Sequence, residues 1–362
     1  MTQQDFIPFQ EEKKATSGEV TWQSPSNIAL VKYWGKLENQ IPANPSISFT
    51  LDHCRSTTTL KFSPKKEIST KDSFDFKFFF EGKEKEDFKP KILKFFERIE
   101  TYCPYLKEYQ FEIYSENSFP HSSGIASSAS GMSALALCVM SLEREIFPDI
   151  EEAYFNKKAS FLARLGSGSA SRSIEGPLVV WGEHENIKNS TDLYGEKFPY
   201  QVHEIFKNYQ DSILLVDKGE KQVSSTVGHD LMHGHPFAEV RFKQAEDNLS
   251  KLIPVLESGD LSEFIKIVES EALSLHAMMM SSQPYFILMK PNTLEIINKI
   301  WSYREKTGIP VCFTLDAGAN VHVLYPDNHR TEILEFIKNE LVVYCQNGHY
   351  ICDQVGDGAK KL

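Results

Sequence analysis

The chain has 362 residues, with 41% hydrophobic and 25% charged side chains and a formal net charge of −11. This length can bury a sizeable core and is long enough for two domains. The acidic balance argues against a nucleic-acid-binding surface, so the lysines matter locally. Residues 1–14 are polar and acidic, unlike a secretory signal, and no apolar run approaches membrane length, so we expect no membrane association and a cytoplasmic location.

The six cysteines, at positions 54, 103, 138, 312, 345 and 352, form no Cys-x-x-Cys pair. Buried, reduced thiols are therefore the simplest expectation. The sequence also has no His/Cys cluster with transition-metal spacing, which leaves Mg²⁺ as the metal to consider.

Hydrophobic periodicity predicts a mixture of strands and helices. In the first half it predicts strands at 57–62 and 74–80, then helices at 90–102, from 126 onward and at 151–165. In the second half it predicts strands at 212–217, 310–315 and 321–325, helices at 236–256, 261–278, 292–306 and 330–339, and a last strand pair before 358. The pattern indicates an α+β fold with helices on one face of an antiparallel sheet.

Residues 117–134, NSFPHSSGIASSASGMSA, run from an extended polar segment through a small-residue turn into an apolar helix. Open N–H groups at a helix start attract phosphate, and small residues allow its close approach. Ser127 and Ser128 add hydroxyls for phosphate or for a phosphate-bound Mg²⁺. The segment predicts a nucleotide site without the Walker Gly-Lys-Ser/Thr pattern. The alternative is a capped, tightly packed helix start.

Three further segments carry candidate chemistry. The segment 24–52 is rich in donors, namely Asn27, Lys32, Tyr33, Trp34, Lys36 and Asn44. GSGSASRS at 166–173 places small residues ahead of Arg172, whose planar cation suits bidentate oxyanion recognition. LDAGAN at 315–320 places Asp316 after an apolar run. The structural alternatives are an edge strand with solvated lysines, a flexible loop with a surface arginine, and an aspartate that caps a turn.

Together, these four segments resemble those of diphosphomevalonate decarboxylases in the GHMP kinase superfamily, from about residue 21 to the C-terminus. The family patterns NIAxxKYWGK, PTAAGLASSA, GSGSACRS and DAGPNA are matched, in order, at 27–36, 120–129, 166–173 and from 316. Residues 215–228 and 275–286 also resemble family segments. The resemblance implies a ribosomal-S5-like first domain at 1–205 and a ferredoxin-like second domain at 206–362, with the ligands in the cleft between them. Because the family is commonly dimeric, we also expect a homodimer.

The resemblance implies a specific reaction. ATP would phosphorylate the tertiary 3-hydroxyl of mevalonate 5-diphosphate, and loss of phosphate and CO₂ would then give isopentenyl diphosphate. The positions that match catalytic residues of the family are Asp316, Arg172, Asn27 and Lys32. The positions that match its substrate-binding residues are Tyr33, Lys36, Ser167, Gly168, Ser169, Arg172 and Ser225. The positions that match its ATP contacts are Ser122, Ser123, Gly124, Ala126, Ser127 and Ser128, with Ser128 also the expected Mg²⁺ ligand.

The sequence departs from the family pattern beside these positions. His121 and its two following serines replace Thr-Ala-Ala, and Pro45 interrupts an Asn-Ser-Ser run. Glu175 and Pro177 flank Gly176 where an aromatic residue and a second glycine are common, and Ala319 replaces proline. None of these changes removes a group assigned to chemistry. Because Pro45 and Pro177 alter backbone donors and φ freedom, they bear most on fine substrate preference.

Three alternatives stay open at this point. The first alternative is a close relative that decarboxylates phosphomevalonate or only phosphorylates mevalonate at the 3-position. Such enzymes differ from diphosphomevalonate decarboxylases in the residues that bind the phosphate tail of the substrate. Retention of Tyr33, Lys36 and the 167–172 cluster favours the diphosphate. The second alternative is a nucleotide-binding sensor without turnover, against which the presence of both Asp316 and Arg172 argues. The third is a structural interaction protein with incidental loops.

Overall fold

The computed structural model describes residues 1–8, 17–66, 73–120, 125–217 and 225–362. The strands, in chain order, are β1 Gly18–Val31, β2 Ser46–Pro64, β3 Asp75–Phe80, β4 Lys83–Glu84, β5 Tyr109–Asn117, β6 Leu178–Trp181, β7 Glu196–Lys197, β8 Gln210–Leu214, β9 Cys312–Leu315, β10 Val321–Tyr325, β11 Tyr350–Gln354 and β12 Lys360–Lys361. The helices are α1 Lys89–Ile99, α2 Ser127–Ile146, α3 Glu152–Gly166, α4 Ser225–Asp230, α5 Ala238–Ser258, α6 Leu261–Ser281, α7 Pro291–Thr307 and α8 Arg330–Phe336.

The first sheet has the order β12-β1-β2-β5-β3-β4, with β6 and β7 continuing from β2. The helices α1, α2 and α3 supply much of its apolar core, and α2 is buried along most of its length, as predicted. One pairing differs from the predicted antiparallel sheet, because β3 runs parallel to β5. The physical reason is that α1 lies in the connection between them, and such a crossover returns the chain in the same direction.

The second sheet is antiparallel, in the order β11-β8-β10-β9. Every residue of β8 and β10 is buried, so both faces of this sheet are covered. Alternate side chains belong to two different apolar clusters, one that includes residues of α5 and α6 and one that includes residues of α7 and α8. The prediction of helices on one face was wrong for this sheet, because strands that are apolar on both sides need two covers.

The chain end also differs from the prediction. The segment before residue 358 contributes the single strand β11 to the second sheet, since short 3-10 and π turns occupy much of 337–348. The final strand β12 then crosses back to pair with β1 of the first sheet. Arg55 secures this return by donating to the carbonyl oxygens of Gly358 at 3.0 Å and Asp357 at 3.1 Å. The division at 205/206 stays a prediction.

Five of the six cysteines are buried and free, in agreement with the expectation, whereas Cys352 is exposed. None of the described helices is long and apolar enough to cross a membrane.

Candidate active site

The site begins where β1 leaves its regular pairing with β2. The register between the two strands shifts at Pro25/Asn27 and again at Ala29/Val31. Asn27 is buried, and its Nδ2 donates to the carbonyl oxygen of Ser169 at 3.1 Å and to the hydroxyl of Ser173 at 2.7 Å. These bonds join the 27–36 motif to the 166–173 motif, although the two are far apart in the sequence.

Arg172 lies in a 3-10 helix, Gly168–Ser173, that follows α3 directly. Its side chain is 2% exposed, and Nη1 donates to the Ser46 hydroxyl. The buried Nε has no hydrogen-bond partner within the described ranges. Burial lowers the pKa of Arg172 to about 10, while Asp316 acts in the opposite direction. A buried, charged guanidinium with open donors fits an anionic ligand, because burying such a group without partners is costly.

Asp316 follows β9 in a loop that several side chains fix. His276 Nε2 lies 3.1 Å from the Asp316 carbonyl oxygen, and the Thr293 hydroxyl donates to the Ala319 carbonyl at 2.7 Å. The Asn320 side chain accepts the Asp217 N–H at 3.0 Å. Burial lowers the pKa of His276 to about 4, so its ring is neutral and donates from Nε2. The loop is therefore held by its backbone, and the Asp316 side chain is half-buried.

Lys32 is a buried cation, contrary to the alternative of solvated lysines on an edge strand. Its side chain is 1% exposed and its Nζ donates to the Ala29 carbonyl at 2.7 Å. Burial lowers the pKa of Lys32 to about 8, opposed by the negative charges of Asp316 and Glu271 and assisted by Arg172. The ammonium thus shares one electrostatic environment with Asp316 and Arg172.

The residues expected to hold the substrate tail adjoin this group. The Tyr33 ring packs edge-on against the Trp181 ring, with 4.6 Å between the ring centroids. A Cβ added at Gly168 would lie 3.0 Å from the Tyr33 hydroxyl and 2.8 Å from the Trp181 ring. Glycine at 168 is therefore required for this close approach. Lys36 Nζ lies 3.4 Å from Oδ1 of Asp230 in α4, forming an ion pair. The Lys36 side chain is 15% exposed, whereas that of Asp230 is 55% exposed.

The start of α2 brings the predicted phosphate site against the same cluster. Ala126, the residue before the helix, has the left-handed φ of 47° and provides no side-chain cap. The Ser128 hydroxyl accepts from Lys91 Nζ at 2.6 Å and donates to the Ser167 hydroxyl at 3.3 Å. A helix start without a side-chain cap presents N–H groups to a phosphate. Ser167 therefore connects the phosphate motif to the arginine motif.

Four predicted positions lie outside the described residues, namely His121, Ser122, Ser123 and Gly124. Ser225 is the first residue of α4, and its side chain also lies outside them. Three other departures from the family pattern support the framework, because the carbonyls of Pro45, Pro177 and Ala319 accept hydrogen bonds from Asn44, Thr50 and Thr293 respectively.

Sequence reasoning missed a pocket that opens beside Ser127 and Ser128. It spans about 600 Å³ of open space, part of which belongs to the surrounding solvent. Its lining comes from β2, β3, β5, α1 and α2 and includes Thr58, Phe78, Phe80, Phe88, Lys91, Ile92, Ile113, Ser115, Asn117 and Met132. Strand alternation gives the inward-facing positions on each strand, but not which strands are neighbours. An apolar pocket with a few polar groups, next to a phosphate-binding helix start, suits a purine base and ribose.

Comparison with known proteins agrees with this arrangement. The family model of the diphosphomevalonate decarboxylase-like N-terminal domain matches residues 24–192, and that of the mevalonate 5-diphosphate decarboxylase C-terminal domain matches residues 212–357. The diphosphomevalonate decarboxylase of Ganoderma lucidum is 31% identical over 88% of this chain and 81% of its own length. The chain belongs to the diphosphomevalonate decarboxylase family.

Solved structures of the family share its fold. A structure of MDDEF in complex with MVAPP, AMPPCP and magnesium aligns with a TM-score of 0.81 and 26% identity, covering 96% of this chain and 99% of that one. The mevalonate diphosphate decarboxylase from Legionella pneumophila aligns with a TM-score of 0.76 and 28% identity, covering 92% of this chain and all of that one. The predicted two-domain α+β fold of the GHMP kinase superfamily is thus confirmed.

Proposed function

We propose that this chain catalyses the ATP-dependent decarboxylation of mevalonate 5-diphosphate to isopentenyl diphosphate, CO₂, ADP and phosphate, through phosphorylation of the 3-hydroxyl. The observation that carries the proposal is the cluster of Arg172, Asp316 and Lys32, a buried guanidinium with open donors beside a carboxylate and a buried ammonium. Membership of the family and its likeness to a protein solved with MVAPP and AMPPCP support the same reaction.

Asp316 and Arg172 act on different groups at the reacting end of the substrate. The Asp316 carboxylate orients the tertiary hydroxyl and accepts its proton as the oxygen attacks phosphorus. The Arg172 fork holds the substrate carboxylate, which fixes the reacting carbon relative to the hydroxyl. Asn27 positions this pair by securing the backbone around Arg172 through Ser169 and Ser173.

Lys32 provides a positive charge near the negative charges of Asp316 and of the reacting groups. Its ammonium is mostly protonated at neutral pH, since its pKa is about 8. This positive charge lies near the Asp316 carboxylate, and an ionised carboxylate is the form that can accept a proton. The same charge offsets the negative charge that develops on the phosphate as it leaves.

The unreactive diphosphate tail would be held by Tyr33, Lys36, Ser225 and the 167–169 turn. The binding energy of a tail that does not react can be used to position the reacting end. Tail contacts should therefore affect kcat as well as KM.

The nucleotide would bind with its phosphates at the start of α2 and its base in the adjacent pocket. The segment 122–124, with Ala126 and Ser127, would provide phosphate contacts. Ser128 fits as one oxygen ligand of Mg²⁺ if the Lys91 ammonium turns to the phosphates. No group of three or more acidic, His or Cys side chains suited to a metal occurs in the described part of the chain. ATP phosphates and water would then supply the remaining ligands, and the ion would offset the charge of the phosphates.

The test is a side-by-side measurement of ATP-dependent CO₂ release with mevalonate, its 5-phosphate and its 5-diphosphate. The proposal predicts release with the diphosphate at a kcat/KM well above that of the other two. ATP consumption without CO₂ would indicate a 3-kinase, preference for the monophosphate would indicate a phosphomevalonate decarboxylase, and no turnover with any of them would indicate a nucleotide sensor.

We further propose that the chain works as a homodimer, on the family resemblance alone, and that it does so in the cytoplasm. Light scattering at micromolar concentration should give twice the chain mass of 41.3 kDa. A monomer mass at full activity would refute the dimer, and recovery of the native protein outside the cytoplasmic fraction would refute the location.

A further inference from the structure

A histidine that the sequence motifs did not single out lies among the residues expected to hold the substrate tail. His229 is the penultimate residue of α4. Its ring centroid lies 4.3 Å from that of Tyr33 and 4.6 Å from that of Trp34, so the imidazole is packed beside both aromatic rings. Gly228 allows this approach, because a Cβ at that position would lie 2.6 Å from the Trp34 ring.

The hydrogen bonding of this ring determines which nitrogen carries the proton. His229 Nδ1 accepts the backbone N–H of Gly35 at 3.0 Å. A neutral imidazole that accepts at Nδ1 carries its proton on Nε2. Within the described ranges the Gly35 contact is the one hydrogen bond of the His229 side chain, and no acceptor for the Nε2–H occurs there. The residue as a whole is half-buried, so the site around it is partly open to a ligand.

The charges around His229 indicate which end of the substrate it faces. Burial is the main effect and lowers the pKa of His229 to about 3. Among the charged groups Lys36 acts most strongly, followed by Asp316 and then Arg172. Since Tyr33 and Lys36 are the tail residues of the proposed function, the ring lies on the tail side of the site. It is a neutral donor at physiological pH and adds no positive charge there.

We propose that His229 is a substrate-binding residue that donates its Nε2–H to an oxygen of the diphosphate group, next to the Tyr33 hydroxyl and the Lys36 ammonium. This inference rests on the proposed function for the identity of the tail. A hydrogen bond to a charged oxygen is among the stronger kinds, so its loss weakens binding about tenfold or more. His229 thereby contributes to the preference for a diphosphate tail.

Two substitutions separate the two nitrogens. His229→Asn keeps an acceptor near the position of Nδ1 for the Gly35 N–H but lacks the distal donor. His229→Gln places an amide donor near the position of Nε2. A purely structural role in holding Gly35 would be rescued by asparagine, whereas a binding role would be rescued by glutamine. His233→Asn, at an exposed histidine in the next turn of the chain, is the matched control.

The readout is calorimetric binding of inorganic pyrophosphate to the full chain, which does not depend on turnover. We expect His229→Asn to bind about tenfold more weakly, and His229→Gln and His233→Asn to stay within about threefold of the wild type. Wild-type affinity in His229→Asn would overturn the inference. If that variant does not fold, imidazole ¹⁵N and proton spectra of the wild type decide, because pyrophosphate should shift the His229 Nε2–H signal, and an unchanged signal overturns the inference.

Failure of the proposed function and failure of the His229 inference give different results. If the wild type releases no CO₂ from mevalonate 5-diphosphate, the function is wrong, while the pyrophosphate measurements still test the His229 donor. If the wild type releases CO₂ but His229→Asn binds pyrophosphate normally, then only the His229 inference is wrong.

Discussion

The carboxylate of Glu271 accepts the backbone N–H of Lys32 at 2.8 Å. Glu271 is fully buried on α6, and Arg241 of α5 grips it through two bonds, Nη1 to Oε1 at 3.0 Å and Nη2 to Oε2 at 2.5 Å. Asn248 donates to the same carboxylate at 2.6 Å. The ion pair between these two helices therefore fixes the end of β1, from which Lys32 extends toward Asp316 and Arg172.

Glu271→Gln should destabilise the protein strongly. The amide keeps an oxygen for the Lys32 N–H but leaves the charge of Arg241 buried without a counterion, a defect that costs about 3–5 kcal/mol. Urea unfolding measures the loss. Lys266→Ala is the control, because it breaks an exposed pair with Glu263 on the same helix and should cost less than about 1 kcal/mol. Equal losses in the two variants would refute a structural role for the buried pair.

Ser128→Ala should raise the KM for MgATP or lower kcat while leaving the fold intact. It removes the hydroxyl that contacts Lys91 and Ser167 at the start of α2. Initial rates across a range of Mg²⁺ concentrations provide the measurement. Ser141→Ala, at the far end of the same helix where the serine bonds Trp22, should leave the kinetics unchanged. Kinetics equal to the wild type at every Mg²⁺ concentration would reduce Ser128 to a structural role.

Arg172→Lys should be far from conservative. Lysine provides one mobile charge where the substrate carboxylate requires a planar fork, so kcat should fall by about tenfold or more while ATP affinity changes little. Separate titrations of nucleotide and substrate check this result. Arg98→Lys is the control, since the Arg98 side chain donates to the Leu165 carbonyl on α3 and is not one of the residues assigned to the substrate. A defect confined to ATP binding would mean that Arg172 binds the nucleotide and not the substrate carboxylate.

The buried ammonium of Lys32 should make stability depend on pH. Its pKa of about 8 in the folded protein is below that of an unfolded lysine. Between the two values the unfolded chain holds the proton that the folded protein has released, so the free energy of unfolding rises with pH. From pH 7 to pH 9.5 the wild type should gain about 2 kcal/mol relative to Lys32→Met, since each pKa unit is worth about 1.4 kcal/mol.

Urea unfolding of both proteins at the two pH values tests this prediction. At pH 7 Lys32→Met should be the more stable protein, because it no longer buries a charge, although it should lose activity. A difference between the two proteins that stays constant with pH would mean that Lys32 does not titrate in this range.

The sequence motifs identified the residues of the candidate site, but they did not predict the contacts between those residues. Asn27, Arg172 and Asp316 could be found from local pattern, because each lies in a short segment with unusual chemistry. His229 and Glu271 could not, since a single histidine or glutamate in a helical pattern carries no local signal. Their roles come from packing between elements that are distant in the sequence.

The same difference between local patterns and long-range packing explains which features of the fold were not predicted. Helices such as α2 and α6 follow from periodicity, which is a local property. The pocket beside Ser127 and Ser128 depends on the pairing of Thr58 with Ser115 across β2 and β5, and strand pairing is decided by the whole sheet. The parallel position of β3 and the return of β12 to the first sheet are likewise tertiary features.

The most direct test of the account is the turnover of Asp316→Asn with mevalonate 5-diphosphate and ATP. The amide preserves shape but cannot accept the hydroxyl proton, so kcat for CO₂ release should fall by about a thousandfold while both ligands still bind. Asp327→Asn, at an exposed aspartate, is the control and should behave as the wild type. A near-normal kcat in Asp316→Asn would contradict the proposed mechanism.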